Sequence, residues 1–324
     1  MTSTLIALIC ACLAPAAPLG TAEPAFIPSG EIASLREKWL NYLGELPTQK
    51  APLAGRWLDN GEDFTTYTRR KVAYVIEEGV ETDAVLFLPK NAGGKVPGVV
   101  VFHPTLATHY AQVAGYDKAR PEMMMGPQLA ERGFAVLCPR CFIFGDGADY
   151  ATHVARMKER HPSWRGITRM TRDGIRALDY LASLDAVDAS RLGILGHSLG
   201  AKEVLYVAAF DQRVKAAVFS EGGIGRAMSN WDAVWYLGEK PEASPREHHE
   251  LLALIAPRAF LLIAGGGKDG ADGEISARFL DAVRPHYSDP AALGWLLHGA
   301  GHAYPPAARG AAESFLVEKL KIHK

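Results

Sequence analysis

Cysteine is scarce in this chain, with four in 324 residues, and two of those, Cys10 and Cys12, fall near its start. That excludes a disulfide-held scaffold, since such folds need several bridges and a chain of this length buries an ample core without them. Charge of one sign is lacking as well. Lys and Arg number 35 against 36 Asp and Glu, for a formal net charge of −1. With no long basic run there is no electrostatic footprint for nucleic acid or for an anionic membrane surface, and neither is expected as a partner. Internal repeats and low-complexity tracts are also missing. The apolar run from Leu5 to Leu13 is too short to span a bilayer. What remains, 48% hydrophobic and 22% charged, describes one large globular domain.

The run Leu5–Leu13 is followed by the small residues Gly20-Thr21-Ala22, so residues 1–22 read as a secretory signal peptide and the mature chain as secreted or periplasmic. Cleavage would leave Cys138 and Cys141, directly behind the apolar stretch Phe134–Leu137. A redox dithiol wants a helix N-terminus to lower a thiol pKa, whereas Phe142-Ile143-Phe144-Gly145 follow here. Buried thiols or one local disulfide are expected instead. A cysteine pair without a neighbouring histidine pair makes no zinc site, and no metal or cofactor is expected.

Residues 23–64 read as an N-terminal helical extension, with a helix near Ile32–Tyr42, and residues 65–324 as the main domain. Thr65–Val75 and Ala84–Leu88 look like antiparallel strands opening a sheet. From Gly98 onward, apolar strands alternate with amphipathic helices, which predicts a parallel sheet covered on both faces. Those strands are Gly98–Phe102, Phe134–Leu137, Arg191–Gly196, Ala216–Ser220, Ala259–Ala264 and Gly294–Leu297, and the clearest helix is Ile167–Leu184.

Gly196-His197-Ser198-Leu199-Gly200 sits where one of these strands should turn sharply into a helix. Glycines at both ends let a strained turn pack closely and push the Ser198 hydroxyl outward, which marks it as a nucleophile. An acyl-transfer serine needs a base and an acid, in the chain order Ser, Asp or Glu, His. Of the downstream histidines, His286 falls at a helix end, His298 ends the last strand and His323 lies in the tail. His302, in the loop Gly299-Ala300-Gly301-His302, is therefore the expected base. For the acid, Asp269 is the first carboxylate in the glycine-rich loop after Ala259–Ala264, Asp272 the second, and Glu221 a rival from the end of the preceding strand. An oxyanion hole would draw one amide from Leu199. The other would come from Thr105, since Pro104 has no N–H. Trp164, Trp231 and Trp235, in two cap segments over residues 142–164 and 222–257, are expected to line an acyl or sugar pocket.

Val187 to Ser198, Arg132 to Leu137 and Gly301-His302 resemble the α/β-hydrolase superfamily, and within it the branch of dienelactone hydrolases and acetyl xylan esterases. Dienelactone hydrolases carry a cysteine where Ser198 stands, which argues against dienelactone as substrate. The loop that reads His-Gly in the family is His103-Pro104 here. The resemblance implies an α/β-hydrolase fold with a mostly parallel eight-stranded sheet, helices on both faces and a small cap. It also implies a serine carboxylic-ester hydrolase that works through an acyl-enzyme on small-molecule or oligosaccharide esters, acetylated carbohydrate among them. Two other readings stay open: a peptidase or amidase of the same superfamily, and a non-catalytic small-molecule binding protein on the same fold.

Overall fold

Runs of Val, Ile, Leu and Ala that carry no polar alternation end up as the buried centre of one sheet in the computed structural model, which describes residues 23–46, 51–244 and 246–322. Residues 1–22, read as a signal peptide, and His323 lie outside the described residues. The strands are β1 (Arg56–Trp57), β2 (Glu62–Asp63), β3 (Tyr67–Glu77), β4 (Val80–Pro89), β5 (Val96–Phe102), β6 (Ala135–Pro139), β7 (Val187–His197), β8 (Val214–Ser220), β9 (Ala259–Ala264) and β10 (Leu293–Leu297). Their order is β1-β3-β4-β6-β5-β7-β8-β9-β10, with β2 also paired to β3. From β6 across to β10 all pairings are parallel, while β3 and β4 run antiparallel at one side. Every residue of β6 and β9 is buried, as a strand covered on both faces requires.

All eight expected strands are present, but the sheet has ten. The additions, β1 and β2, are two residues long and exposed, too short to show any alternation, and they pair with β3. The sheet therefore begins at Arg56 and not at residue 65.

Helices pack on both faces. All twelve residues of the helix Leu199–Phe210 are buried, between the sheet and a second layer of helix. The N-terminal helix Ile32–Leu43 docks on it by burying Leu35, Trp39 and Leu43, a stripe at four-residue spacing, and Gly44 ends it in the left-handed region at φ 83°. Arg36 donates to the carbonyls of Ala209 and Phe210, groups the helix end leaves without partners. On the opposite face, Leu316 and Leu320 of the C-terminal segment press on Gly193, where an added Cβ would stand 2.7 Å from Leu320. The carboxyl ends of the parallel strands thus share one edge, and the loops leaving it hold the side chains that matter below.

Candidate active site

β7 turns directly into the helix Leu199–Phe210 through Ser198, whose backbone is at φ 58°, ψ −117°, a conformation costly for any residue with a Cβ. Two glycines make that turn possible. A Cβ on Gly196 would lie 2.2 Å from Gly200, and one on Gly200 would lie 2.2 Å from the Phe102 carbonyl oxygen at the end of β5. Gly200→Ala is therefore expected to cost about 3 kcal/mol, read as a drop in melting temperature, because backbone and not a flexible side chain would have to yield.

The turn lifts the Ser198 hydroxyl into a cleft of about 530 Å³, lined by Pro104, Thr105, Leu106, Arg120, Met123 and Tyr304 among others. His302 reaches it from the loop after β10, with Nε2 2.9 Å from Ser198 Oγ. Behind the ring, Nδ1 donates to Glu221 Oε2 at 3.1 Å. A carboxylate only accepts, so the proton sits on Nδ1 and Nε2 is left to accept from the serine hydroxyl.

Glu221 follows the last residue of β8 at φ 56° and is 1% exposed. Its carboxylate accepts backbone amides from Gly265, from Ala271 at 2.7 Å and from Asp272 at 3.4 Å. Gly265 joins the three loops. Its amide meets Glu221, its carbonyl accepts from Gly301 at 3.2 Å, and a Cβ there would stand 1.9 Å from the Gly301 oxygen.

Of the three carboxylates considered, Glu221 is the one that meets His302. Asp269 is exposed and makes no bond to His302, whose Nδ1 is taken by Glu221. Gly266 and Gly267, at φ 65° and 67°, turn the chain before Asp269, which comes up beside Gly301 and not against the imidazole. Asp272, the second choice, is buried but bonds the amides of Gly223 and Ile224 at 2.7 Å and the Ser276 hydroxyl at 2.9 Å, bracing the loop that follows Glu221. Burial pushes its carboxyl up to about 6.

Leu199 is the first residue of its helix, so its amide has no intrahelical partner and is free to donate towards the cleft, and Thr105 lines the cleft beside Ser198. The three tryptophans are elsewhere. Trp231 is fully buried and donates to the Gly223 carbonyl at 2.7 Å. Trp164 stacks on His161 at 3.7 Å, and Trp235 packs edge-on against Tyr150. None of the three, expected to line an acyl or sugar pocket, lines the serine cleft. Arg120, Met123 and Tyr304 line it instead, from loops whose sequences carry no periodic or motif signal. Cys138 and Cys141 are both free and buried, and burial pushes the Cys138 thiol up.

Two further histidines brace the site from behind. His103 Nδ1 donates to the Pro104 carbonyl at 2.8 Å and its Nε2 accepts the Cys141 amide at 3.1 Å. His197 contacts the Ser220 hydroxyl at 3.0 Å. Burial lowers His103 to about 4 and His197 to about 3, the latter helped by His302 nearby. An unfolded histidine takes its proton near pH 6.5 while these refuse it, so their contribution to stability is whole above that pH and is lost as pH falls towards 3. The melting temperature is expected to fall on acidification from pH 7 to pH 5, and His197→Gln to flatten part of that slope.

Residues 82–243 match the model of the Dienelactone hydrolase family. An uncharacterised protein of Pseudomonas aeruginosa is 29% identical over 152 residues, 47% of this chain, and the match covers 36% of that relative's own length. Among solved structures, a glucuronoyl esterase from Solibacter usitatus superposes with a TM-score of 0.70 at 16% identity, covering 94% of this chain and 98% of the other. An acetyl xylan esterase from Paenibacillus sp. R4 does so with 0.62 at 18% identity, covering 92% and 97%. At those identities the likeness is one of fold, and it agrees with the mixed sheet and its two helical layers.

Proposed function

The chain belongs to the dienelactone hydrolase family; on that premise we propose that it is a serine ester hydrolase, with Ser198, His302 and Glu221 as its nucleophile, base and acid. The observation that carries the reading is His302 bridging Ser198 at 2.9 Å and Glu221 at 3.1 Å. In this reading His302 Nε2 takes the Ser198 proton as Oγ attacks the ester carbonyl. The oxyanion that forms meets the amides of Leu199 and Thr105, each such donor being worth about 2.7–4 kcal/mol. The imidazolium then protonates the departing alcohol, and water releases the acid by the same route in reverse. Glu221 stays ionised throughout and steadies the imidazolium.

The substrates we propose are small or oligosaccharide esters, acetylated carbohydrate among them. The names of the esterases that share the fold support this, as does a cleft with room for a small acyl group and an open side for the alcohol. Export, read from residues 1–22, would place the enzyme where such polymers are met. Among the described residues no helix is long and apolar enough to cross a membrane. A p-nitrophenyl acyl ladder from acetate to octanoate, run beside acetylated xylan, tests the proposal. Turnover of acetate with release of acetyl groups from xylan is expected. A folded protein silent on every ester would overturn it.

A further inference from the structure

A second cleft, of about 620 Å³, opens at the same edge of the sheet, within the range usual for small-ligand sites. Its floor is Asp83 of β4 and Arg140, the residue after β6. In the sheet β6 lies beside β5 and β5 beside β7, so the cleft stands roughly 10 Å, two strand spacings, from the strand that carries Ser198. The chain that leaves β5 at His103 contributes Thr105 to the serine cleft and, four residues later, His109 to this one.

His109 is the notable residue. Its backbone is at φ 38°, ψ −125°, close to the strained conformation of Ser198, and its Nδ1 is buried with no hydrogen-bond partner. Strain of that kind persists where surrounding structure holds a side chain for use. Across the cleft, His153 Nε2 is likewise buried without a hydrogen bond and faces Asp146 at 3.6 Å, an ion-pair distance when the ring is protonated.

The charged groups, by contrast, are already matched. Asp83 accepts from Arg140 Nε and from the Tyr110 hydroxyl, and Arg156 holds Asp146 at 2.6 Å. No charge is left over to hold an ion. What the cleft offers is the open sides of two imidazoles, each able to give or accept a hydrogen bond through the ring nitrogen that is not buried, beside the ring of Phe144. Hydroxyl groups set around a ring with apolar C–H faces match that offer.

We propose that this cleft is a second subsite, holding an uncharged sugar unit of the oligosaccharide whose ester lies at Ser198. The inference rests on the esterase reading, and the test separates the two. The quantity to measure is kcat/KM for acetylated xylotetraose divided by kcat/KM for p-nitrophenyl acetate, in the wild type, His153→Ala and His109→Asn. The ratio is expected to fall about tenfold in each variant, through KM. A ratio within twofold of wild type in both variants overturns the subsite and leaves the esterase standing, whereas a wild-type protein that cleaves neither ester overturns both. Titration of the Ser198→Ala protein with unacetylated xylotetraose, followed by NMR, answers without any change in the cleft. Shifts at His109, Phe144 and His153 are expected. Shifts confined to His302 and Tyr304 would overturn the proposal.

Discussion

Ser198→Ala is expected to lower kcat on p-nitrophenyl acetate by on the order of 10⁶ while moving the melting temperature by no more than a few degrees. The loss follows from the relay. Without Oγ no acyl-enzyme forms, and His302 is left facing an empty cleft. The fold survives because what holds the elbow is backbone. The Ser198 amide donates to the Ser220 carbonyl at 2.8 Å, and its own carbonyl accepts from Ala201 at 3.1 Å and Lys202 at 3.2 Å. Alanine keeps all three, and its Cβ bears the same strain at φ 58° that serine already bears. The outcome is read by initial rates beside circular dichroism on one preparation. A folded variant keeping more than about a thousandth of the wild-type rate would remove Ser198 from the chemistry, since binding and oxyanion contacts alone leave only a small residual catalysis.

The elbow could be read from sequence because its determinants are local. An apolar strand, two glycines at fixed offsets and a proline-free helix leave few ways to fold, and the close approaches at Gly196 and Gly200 show why those glycines are needed. The parallel strands themselves followed from the same local patterns, while β1 and β2, with two residues each, left no pattern to read. Loops carry less information. Asp269 and Glu221 both follow strand ends, and what separates them is backbone conformation, the positive φ of Gly266 and Gly267 before one and of Glu221 itself in the other, which composition does not announce. Composition cannot separate a pocket tryptophan from a core one either. Trp231 is where it is because its indole N–H finds the Gly223 carbonyl, a contact between loop positions that no periodicity announces. The serine cleft itself is finished by Arg120 and Met123, from a stretch with no regular pattern.

The choice of acid is the other large effect. Glu221→Gln is expected to cut kcat by about 10⁴, as losing the carboxylate of such a relay does by favouring the wrong imidazole tautomer. With a carboxylate behind it, His302 must carry its proton on Nδ1, and Nε2 can accept from Ser198 at 2.9 Å. A glutamine can turn its NH₂ towards Nδ1, which moves the ring proton to Nε2 and leaves the serine without a base. The same change has a structural cost. The Glu221 carboxylate also accepts the amides of Gly265, Ala271 and Asp272, and an NH₂ in place of one oxygen would leave one of them unpaired, at about 1–3 kcal/mol. A modest drop in melting temperature should therefore accompany the rate loss, and rates must be taken well below it. Asp269→Asn supplies the contrast. It is exposed and does not bond His302, so its rate and stability are expected to stay within about twofold and 0.5 kcal/mol of wild type. Collapse of the Asp269→Asn rate beside a working Glu221→Gln would move the acid to the loop after β9. The reverse pattern would mean that this chain draws its acid from the end of β8, with the loop after β9 reduced to supplying amides to that carboxylate.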